Sequence, residues 1–325
     1  MGLLVHLPSM VASAARVTLR RAQQGPLRPG WSWTYEVFVE HLKALSRRFH
    51  GLPPAAQRAG WDSTAVPSAT ARKVRRERAE VGGVEGAWIT PRAGHDERVV
   101  LYFHGGAYIY GTLETHAELM ERIAIAARAR VLGVSYRLAP EHPFPAGIDD
   151  AVAAYRGLLE SGVAPGRVVL AGDSAGGGLA AATLITLRDA GDPLPAGAVL
   201  ICPWVDMTAR GGSMVTNEAY DWASADDVDG WAAAYLGGAN PRDGRASPLY
   251  GDLAGLPPLL VQVGGAELLR DQVLAFVERA RAAGVTVERE IAQDMVHNWH
   301  VLAATERAAR EAIEGIGGFA RRVVA

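Results

Sequence analysis

The sequence is poor in cysteine, in lysine and in long apolar stretches. One cysteine, Cys202, occurs among the 325 residues, which excludes an intrachain disulfide and a metal cluster held by several thiolates. Lysine occurs only at Lys43 and Lys73, and the arginines are scattered along the chain. The sequence therefore lacks the concentrated clusters of basic residues that are typical of nucleic-acid-binding proteins. No apolar run reaches the roughly 18 residues that a membrane-spanning helix requires.

The remaining composition is that of a globular chain that is nearly neutral. Hydrophobic residues make up 49% and charged residues 21%, and the formal net charge is -2. Residues 1–15 have an apolar bias, but no basic residue precedes it, and His6 and Pro8 interrupt it, which argues against a secretion signal. We therefore expect a cytoplasmic protein that binds a small molecule, without a nucleic-acid partner or a stable membrane span.

Two amphipathic helices are predicted before any strand. Apolar residues recur at helical spacing in residues 9–23 and again in residues 31–48, and a proline-rich linker at 26–30 separates the two segments. Because these helices precede the sheet, they are expected to pack over something rather than within it. Residues 1–60 are therefore predicted to form an N-terminal helical cap region, and residues 61–325 to form the main domain.

From residue 74 onward, strands and helices alternate. Residues 74–81 and 84–90 predict a β-hairpin, and the basic run 72–78 is expected to keep a sheet edge solvated. Further strands are predicted at 99–103, 131–136, 167–171, 197–202, 259–263 and 285–291, and helices at 114–129, 147–160, 175–190, 269–283 and 301–322. This order predicts an α/β fold with a mostly parallel sheet of about eight strands and helices on both faces. The polar insertion 205–255 is a further candidate for the cap.

A Gly-x-Ser-x-Gly motif stands between a predicted strand and a predicted helix. Ser174 lies at its centre, with Gly172 and Gly176 on either side. In this context the motif predicts a nucleophile elbow, a sharp turn that lifts the serine hydroxyl clear of the sheet. The motif also arises by chance in a chain with 37 glycines. A base, an orienting carboxylate and oxyanion donors must therefore be found elsewhere.

A glycine pair follows the predicted strand 99–103. Residues 104–108 read HGGAY, and consecutive glycines can turn their N–H groups toward the space above Ser174. The predicted oxyanion donors are Gly105, Gly106 and Ala175, the last being the residue after the nucleophile. A phosphate-binding loop is the alternative, but neither G-x-x-x-x-G-K-[ST] nor G-x-G-x-x-G occurs.

The base and its orienting carboxylate are expected after the last two strands. His297 falls just past the last strand, whereas His300 belongs to the start of the final helix, so His297 is the predicted base. Glu267 stands at the mouth of strand 259–263 and is the predicted acid. Asp271 lies a turn into the next helix, where the helix dipole alone favours an acidic residue. The resulting chain order of serine, acid and histidine is the one expected for a nucleophile elbow of this kind.

These motifs resemble those of the hormone-sensitive-lipase-like branch of the α/β-hydrolase superfamily, the bacterial family IV esterases. The resemblance covers about residues 98–300 and rests on HGGAYIYGT at 104–112, YRLAPEHPFPA at 136–146, GDSAGGGLAA at 172–181, CPWVDMT at 202–208, LPPLLVQVG at 256–264 and MVH at 295–297. It implies an α/β-hydrolase fold with an N-terminal cap and hydrolysis of short to medium acyl esters through an acyl-enzyme, with no cofactor and no metal. Two positions depart from the family pattern: Ala107 replaces a further glycine, and Glu267 replaces a frequent aspartate.

The sequence leaves the substrate open. A lactonase or an amidase could use the same triad, because pocket shape decides which leaving group is accepted. A non-catalytic ligand receptor on this scaffold is the other alternative, and the presence of His297 argues against it. Tyr108, Trp204 and Trp299 are predicted to line an aromatic substrate pocket, although aromatic residues near strand ends are more often ordinary packing. A homodimer is also left open.

Overall fold

One sheet lies at the centre of the computed structural model, which describes residues 2–95 and 97–324. Its strands are β1 (Val74–Val81), β2 (Val84–Pro91), β3 (Val99–Phe103), β4 (Arg130–Val134), β5 (Val168–Asp173), β6 (Gly197–Ile201), β7 (Leu259–Gly264) and β8 (Val287–Ala292). Their spatial order is β1-β2-β4-β3-β5-β6-β7-β8. The strands from β4 to β8 in this order pair in parallel, and the β1–β2 and β2–β4 pairs are antiparallel. The predicted fold class is confirmed.

The central strands are apolar on both faces. Every residue of β3 is buried, and Leu101 aligns with Leu132 of β4 and with Leu170 of β5. Continuous apolar strands of this kind are typical of parallel sheets that helices cover on both sides. Because parallel strands end at the same edge, the loops after β3, β5, β7 and β8 meet there.

The helices agree with the sequence prediction in most places. They are α1 (Gly2–Gln24), α2 (Trp33–Phe49), α3 (Pro54–Asp62), α4 (Ala117–Ala127), α5 (Ala146–Glu160), α6 (Ala175–Ala190), α7 (Ser213–Thr216), α8 (Ala225–Leu236), α9 (Arg270–Ala282) and α10 (Arg307–Val323). Three features differ from the prediction. The helix α3 was not expected, the insertion 205–255 contains α7 and α8, and the last helix begins later than expected because a 3-10 turn, Trp299–Leu302, precedes it.

The first two helices are joined by buried charge pairs. Arg20 and Arg21 of α1 lie 2.5 and 2.6 Å from the carboxylate of Glu36 in α2, which is 1% exposed. Trp31, just before α2, donates its ring N–H to the carbonyl of Asp294 at 2.5 Å. The charge pairs hold α1 against α2, and the Trp31 hydrogen bond attaches this helical pair to the loop that follows β8. Among the described residues, no helix combines the length and the apolar character that crossing a membrane would require.

Candidate active site

Ser174 lies in a sharp turn between β5 and α6. Its backbone angles, φ 55° and ψ -119°, fall in a region that residues with a Cβ rarely adopt. A Cβ at Gly172 would lie 2.3 Å from the carbonyl oxygen of Gly176, and a Cβ at Gly176 would lie 2.0 Å from that of Phe103. The two flanking positions therefore require glycine, and the tight crossing of strand and helix holds the serine in its strained turn.

His297 lies beside this serine, in the loop after β8. Its Nε2 atom is 2.8 Å from Ser174 Oγ, which suits donation from the serine hydroxyl to the imidazole. The next residue, Asn298, adopts a left-handed φ of 56° and donates its side-chain amide to Asp173 at 2.7 Å. This hydrogen bond holds the loop that carries His297 against Asp173, the residue before Ser174.

Glu267 is completely buried and faces the other side of the imidazole ring. Its Oε2 atom accepts a hydrogen bond from the Gly264 N–H at 2.8 Å, and its Oε1 atom lies 3.6 Å from His297 Nδ1. The second separation exceeds a normal hydrogen bond, so the pair interacts mainly through charge at this geometry. Catalytic hydrogen bonds are often long without substrate and shorten when it binds. The thiol of Cys202 also contacts the Glu267 carboxylate.

The two alternative residues are engaged elsewhere. His300 is buried with its Nε2 atom 2.8 Å from Gln262 Oε1, and burial lowers the pKa of His300 to about 3. Asp271 lies in the first turn of α9, where Oδ2 accepts a hydrogen bond from the Ser213 N–H at 2.8 Å. The structure therefore brings His297 to Ser174 and Glu267 to His297, whereas His300 and Asp271 lie elsewhere.

The charges around His297 favour its protonated form. Burial by itself lowers the pKa of His297, but the adjacent Glu267 and then the charge of Asp221 raise it above its ordinary value overall. A base with a raised pKa holds the serine proton more readily once the hydroxyl attacks.

Asp221 is a buried carboxylate beside His297, and the sequence did not predict it as a site residue. Its Oδ2 atom accepts from the Leu268 N–H at 2.7 Å, while Oδ1 accepts from the N–H groups of Trp222 at 2.8 Å and His297 at 3.3 Å. Burial raises the pKa of Asp221 to about 6. Through these hydrogen bonds the carboxylate connects the loop that carries Glu267 to the loop that carries His297. It lies in an insertion without a recognisable motif, so no sequence signal marked it.

Gly105 differs from its predicted role as an oxyanion donor. Its N–H donates to Asp173 Oδ1 at 3.0 Å, so it is not free to face a substrate. Gly106 and Ala107, with φ angles of 120° and 53°, line the cavity beside Ser174. Among the described residues, their N–H groups have no hydrogen-bond acceptor. The free donors of this loop are therefore one position later than predicted.

Asp173 explains why the loop turns in this way. Besides Gly105 and Asn298, its carboxylate accepts from the Tyr102 hydroxyl at 2.6 Å and lies 3.4 Å from His116 Nε2. Burial alone would raise the pKa of Asp173, but His116 and the hydrogen bond from Tyr102 lower it overall. One buried charge thereby fixes the loops that carry Gly105, Ser174 and His297 relative to one another.

A largely apolar cavity of about 450 Å³ opens above Ser174. This volume is within the range of small-molecule sites. The side chains that line it come from the first three helices, from the loops after β3, β6 and β7 and from the insertion 205–255. They include Met10, Phe38, Leu42, Leu45, Trp61, Tyr110, His116, Trp204, Asp221, Trp222, Val228, Trp231 and Leu268.

Two of the three predicted pocket aromatics lie outside this cavity. Trp204 lines it, but the Tyr108 ring stacks on Tyr235 with centroids 3.8 Å apart and belongs to the core. Trp299 is 2% exposed and packs in the core on the opposite face of the sheet. The prediction was wrong for Tyr108 and Trp299 because nearness to a strand end does not determine which way a ring points.

Three comparisons with known proteins agree on the family to which the chain is similar. The α/β hydrolase fold family matches residues 100–301. An acetyl-hydrolase of Streptomyces hygroscopicus is 48% identical over 242 residues, covering 74% of this chain and 81% of that protein. An esterase of Acinetobacter venetianus is 34% identical over 300 residues, covering 90% of this chain and 97% of that protein. A solved esterase of the bacterial hormone-sensitive lipase family is 44% identical, with a TM-score of 0.83, covering 88% of this chain and 98% of that one.

Proposed function

The chain belongs to the hormone-sensitive-lipase-like esterases of the α/β-hydrolase superfamily, and on that premise we propose that it cleaves short to medium acyl esters through an acyl-enzyme. Ester hydrolysis is the activity of this family. The triad of Ser174, His297 and Glu267 and the acyl range are our proposal. The observation that supports it best is the 2.8 Å separation of Ser174 Oγ and His297 Nε2 beneath an apolar cavity.

In the proposed mechanism, His297 moves the proton and Ser174 forms the covalent bond. The imidazole Nε2 takes the hydroxyl proton as Ser174 attacks the ester carbonyl, and Glu267 stabilises the imidazolium. The imidazolium then gives this proton to the departing alcohol, which leaves an acyl group on Ser174. Water attacks the acyl-enzyme in the same way, with His297 again as the base, and releases the acid.

We propose the N–H groups of Gly106, Ala107 and Ala175 as the oxyanion donors. Gly106 and Ala107 line the cavity next to Ser174. Ala175 is the first residue of α6, so its N–H has no partner within the helix and the helix dipole adds partial positive charge there. Gly105 instead positions the loop through Asp173.

We propose that residues 1–60 form a cap over the acyl-binding cavity. Met10 of α1 and Phe38, Leu42 and Leu45 of α2 all line that cavity. The insertion 205–255 contributes Trp222, Val228 and Trp231 to it and so shares the role of the cap. An acyl chain bound to Ser174 would lie among these apolar side chains, which favours burial of methylene groups.

Leu42→Trp is expected to reduce activity on long acyl chains selectively. The indole would occupy volume that a long acyl chain needs, whereas an acetyl group would still fit. One extra or missing methylene group in an apolar pocket alters kcat/KM by about 10–200-fold, so we expect a loss of at least about tenfold for the octanoate relative to the acetate. Rates on p-nitrophenyl esters from acetate to octanoate, measured for wild type and variant, give the comparison.

Leu19→Trp is the matched control for this experiment. Leu19 lies on α1, is 62% exposed and is not among the side chains that line the cavity. Its chain-length profile should equal that of the wild type. Identical profiles for both tryptophan variants would contradict a cap over the acyl chain. A wild type that cleaves none of these esters would contradict the proposed substrate class.

Asp221→Asn is expected to shift the acid limb of the pH profile to lower pH. His297 must be neutral to act as a base, so activity is lost as pH falls through its raised pKa. Removing the negative charge of Asp221 lowers that pKa and extends activity toward acid. The side-chain amide that replaces the carboxylate also places an NH₂ donor against backbone N–H groups. This should lower the free energy of unfolding by about 1–3 kcal/mol.

The profile of kcat/KM against pH and the thermal unfolding of each variant check this expectation. Asp226→Asn changes an exposed acid in the same insertion and should move neither readout. An unchanged acid limb in Asp221→Asn would show that this carboxylate does not act on His297.

The expected cytoplasmic location and the homodimer that the sequence leaves open stay predictions.

A further inference from the structure

The thiol of Cys202 lies beside the proposed triad, and the proposed mechanism does not use it. Cys202 directly follows β6, is completely buried and has a φ of 45°. Its Sγ atom, an oxygen of Glu267 and a ring nitrogen of His297 all lie within 4.8 Å of one another. Glu267 Oε1 and His297 Nδ1 are buried and make no hydrogen bond. Three different ligand atoms thus converge at a point where Glu267 Oε1 and His297 Nδ1 face each other at 3.6 Å and hydrogen-bond to no other group.

We propose that Cys202, Glu267 and His297 form an inhibitory site for a soft divalent cation such as Zn²⁺ or Cd²⁺. Thiolate, carboxylate and imidazole are ligands that zinc binds in proteins. Such ligand atoms lie about 2.0–2.3 Å from the ion and therefore about 3.3–3.6 Å apart in a tetrahedral site. The 3.6 Å between His297 Nδ1 and Glu267 Oε1 fits this spacing. The proposal requires Cys202 Sγ, which lies within 4.8 Å of both atoms, to move to the same spacing when the ion binds.

Binding of the ion releases one proton, moves a second proton within His297 and changes the net charge of the site. The thiol proton leaves to solvent, since the thiolate is the form that binds metal. The Nδ1 proton of neutral His297 moves to Nε2 as the ion takes Nδ1. With Nε2 protonated, the imidazole can no longer accept the proton of Ser174, so the attack on the ester stops. Without the ion, the site carries the single negative charge of Glu267. With the ion, the thiolate and the carboxylate balance the dication, so the net charge is zero, and burial favours the neutral form.

The burial of the site determines how inhibition develops. Cys202 and Glu267 are each 0% exposed, so an ion can enter only when the surrounding loops open. Inhibition should therefore increase during incubation instead of appearing on mixing. It should also strengthen as pH rises, because one proton is released for each ion bound.

A titration of the full chain with Cd²⁺ tests binding and inhibition separately. Binding is followed by the ultraviolet charge-transfer band of the cadmium–thiolate bond, and inhibition by ester hydrolysis after incubation. We expect the band to grow to a saturating value as hydrolysis falls. At about ten times the dissociation constant the rate should drop about tenfold, since only unoccupied sites turn over.

Four variants make the test specific. Cys202→Ser and Cys202→Ala should lack the band, and their hydrolysis, each relative to its own metal-free rate, should resist Cd²⁺. His50→Gln removes a histidine that lies 2.6 Å from Asp227 at the surface, and this control should keep both the band and the inhibition. Ser174→Ala should keep the band without hydrolysing esters.

The outcomes separate this proposal from the proposed function on which its inhibitory part rests. No band with wild type in excess Cd²⁺, or equal inhibition of the cysteine variants, would overturn the site. A normal band with undiminished hydrolysis would contradict inhibition through His297 and would weaken its assignment as the base. A band in wild type and in Ser174→Ala, together with metal-resistant cysteine variants, would support the site.

Discussion

Ser174→Ala is expected to lower kcat for an activated ester by about 10⁴–10⁶-fold, because no acyl-enzyme can form without the hydroxyl. The remaining rate would come from substrate binding and from the oxyanion donors. Among the described side chains, the hydroxyl hydrogen-bonds only with His297. Because alanine is also not bulkier than serine, the fold and the affinity for substrate should be retained. Steady-state hydrolysis of p-nitrophenyl butyrate, with unfolding temperatures for both proteins, measures the loss.

Covalent labelling gives this prediction a second readout. A fluorophosphonate should add one label to wild type and none to Ser174→Ala, as followed by mass spectrometry. Ser161→Ala is the control, because the Ser161 hydroxyl donates to the carbonyl of Leu158 and is not among the residues that line the cavity. A folded Ser174→Ala protein that hydrolyses esters within tenfold of wild type would exclude Ser174 as the nucleophile.

The parts of the site that lie in short local motifs could be predicted from the sequence. The elbow around Ser174 requires glycines at fixed offsets, because backbone atoms lie too close for a Cβ at Gly172 or Gly176. Glu267 and His297 follow the ends of β7 and β8, and the parallel sheet brings those ends to one edge. Apolar strands and chain order were sufficient for this much.

The parts that depend on side-chain direction could not be predicted. Gly105 and Gly106 are adjacent residues of the same type, so the sequence does not distinguish their N–H groups. The buried carboxylate of Asp173 binds the N–H of Gly105 and leaves that of Gly106 free. Asp221 acts through backbone N–H groups of two distant loops, which no local pattern records. The helix α3 was not predicted, although Pro54 is well suited to the first helical position.

Glu267→Gln is expected to lower kcat by about 10³–10⁴-fold through the wrong imidazole tautomer. The carboxylate accepts from Gly264 N–H with one oxygen, and an amide would keep that bond with its single oxygen. Its NH₂ group would then face His297 Nδ1 and donate to it, which leaves the ring proton on Nε2. In that tautomer the imidazole cannot accept the proton of Ser174. The amide also cannot balance the charge of the imidazolium.

Two further substitutions and a pH profile decide whether Glu267 is the orienting residue. Asp271→Asn should lose at most about tenfold, since Asp271 binds the Ser213 N–H at the start of α9 and the effect there is on the helix end. Glu267→Asp keeps the charge and should recover part of the activity that Glu267→Gln loses. The acid limb of the residual activity in Glu267→Gln should shift to lower pH, because the carboxylate that raises the pKa of His297 is gone. A larger loss in Asp271→Asn than in Glu267→Gln, measured on the same ester, would transfer the role to Asp271.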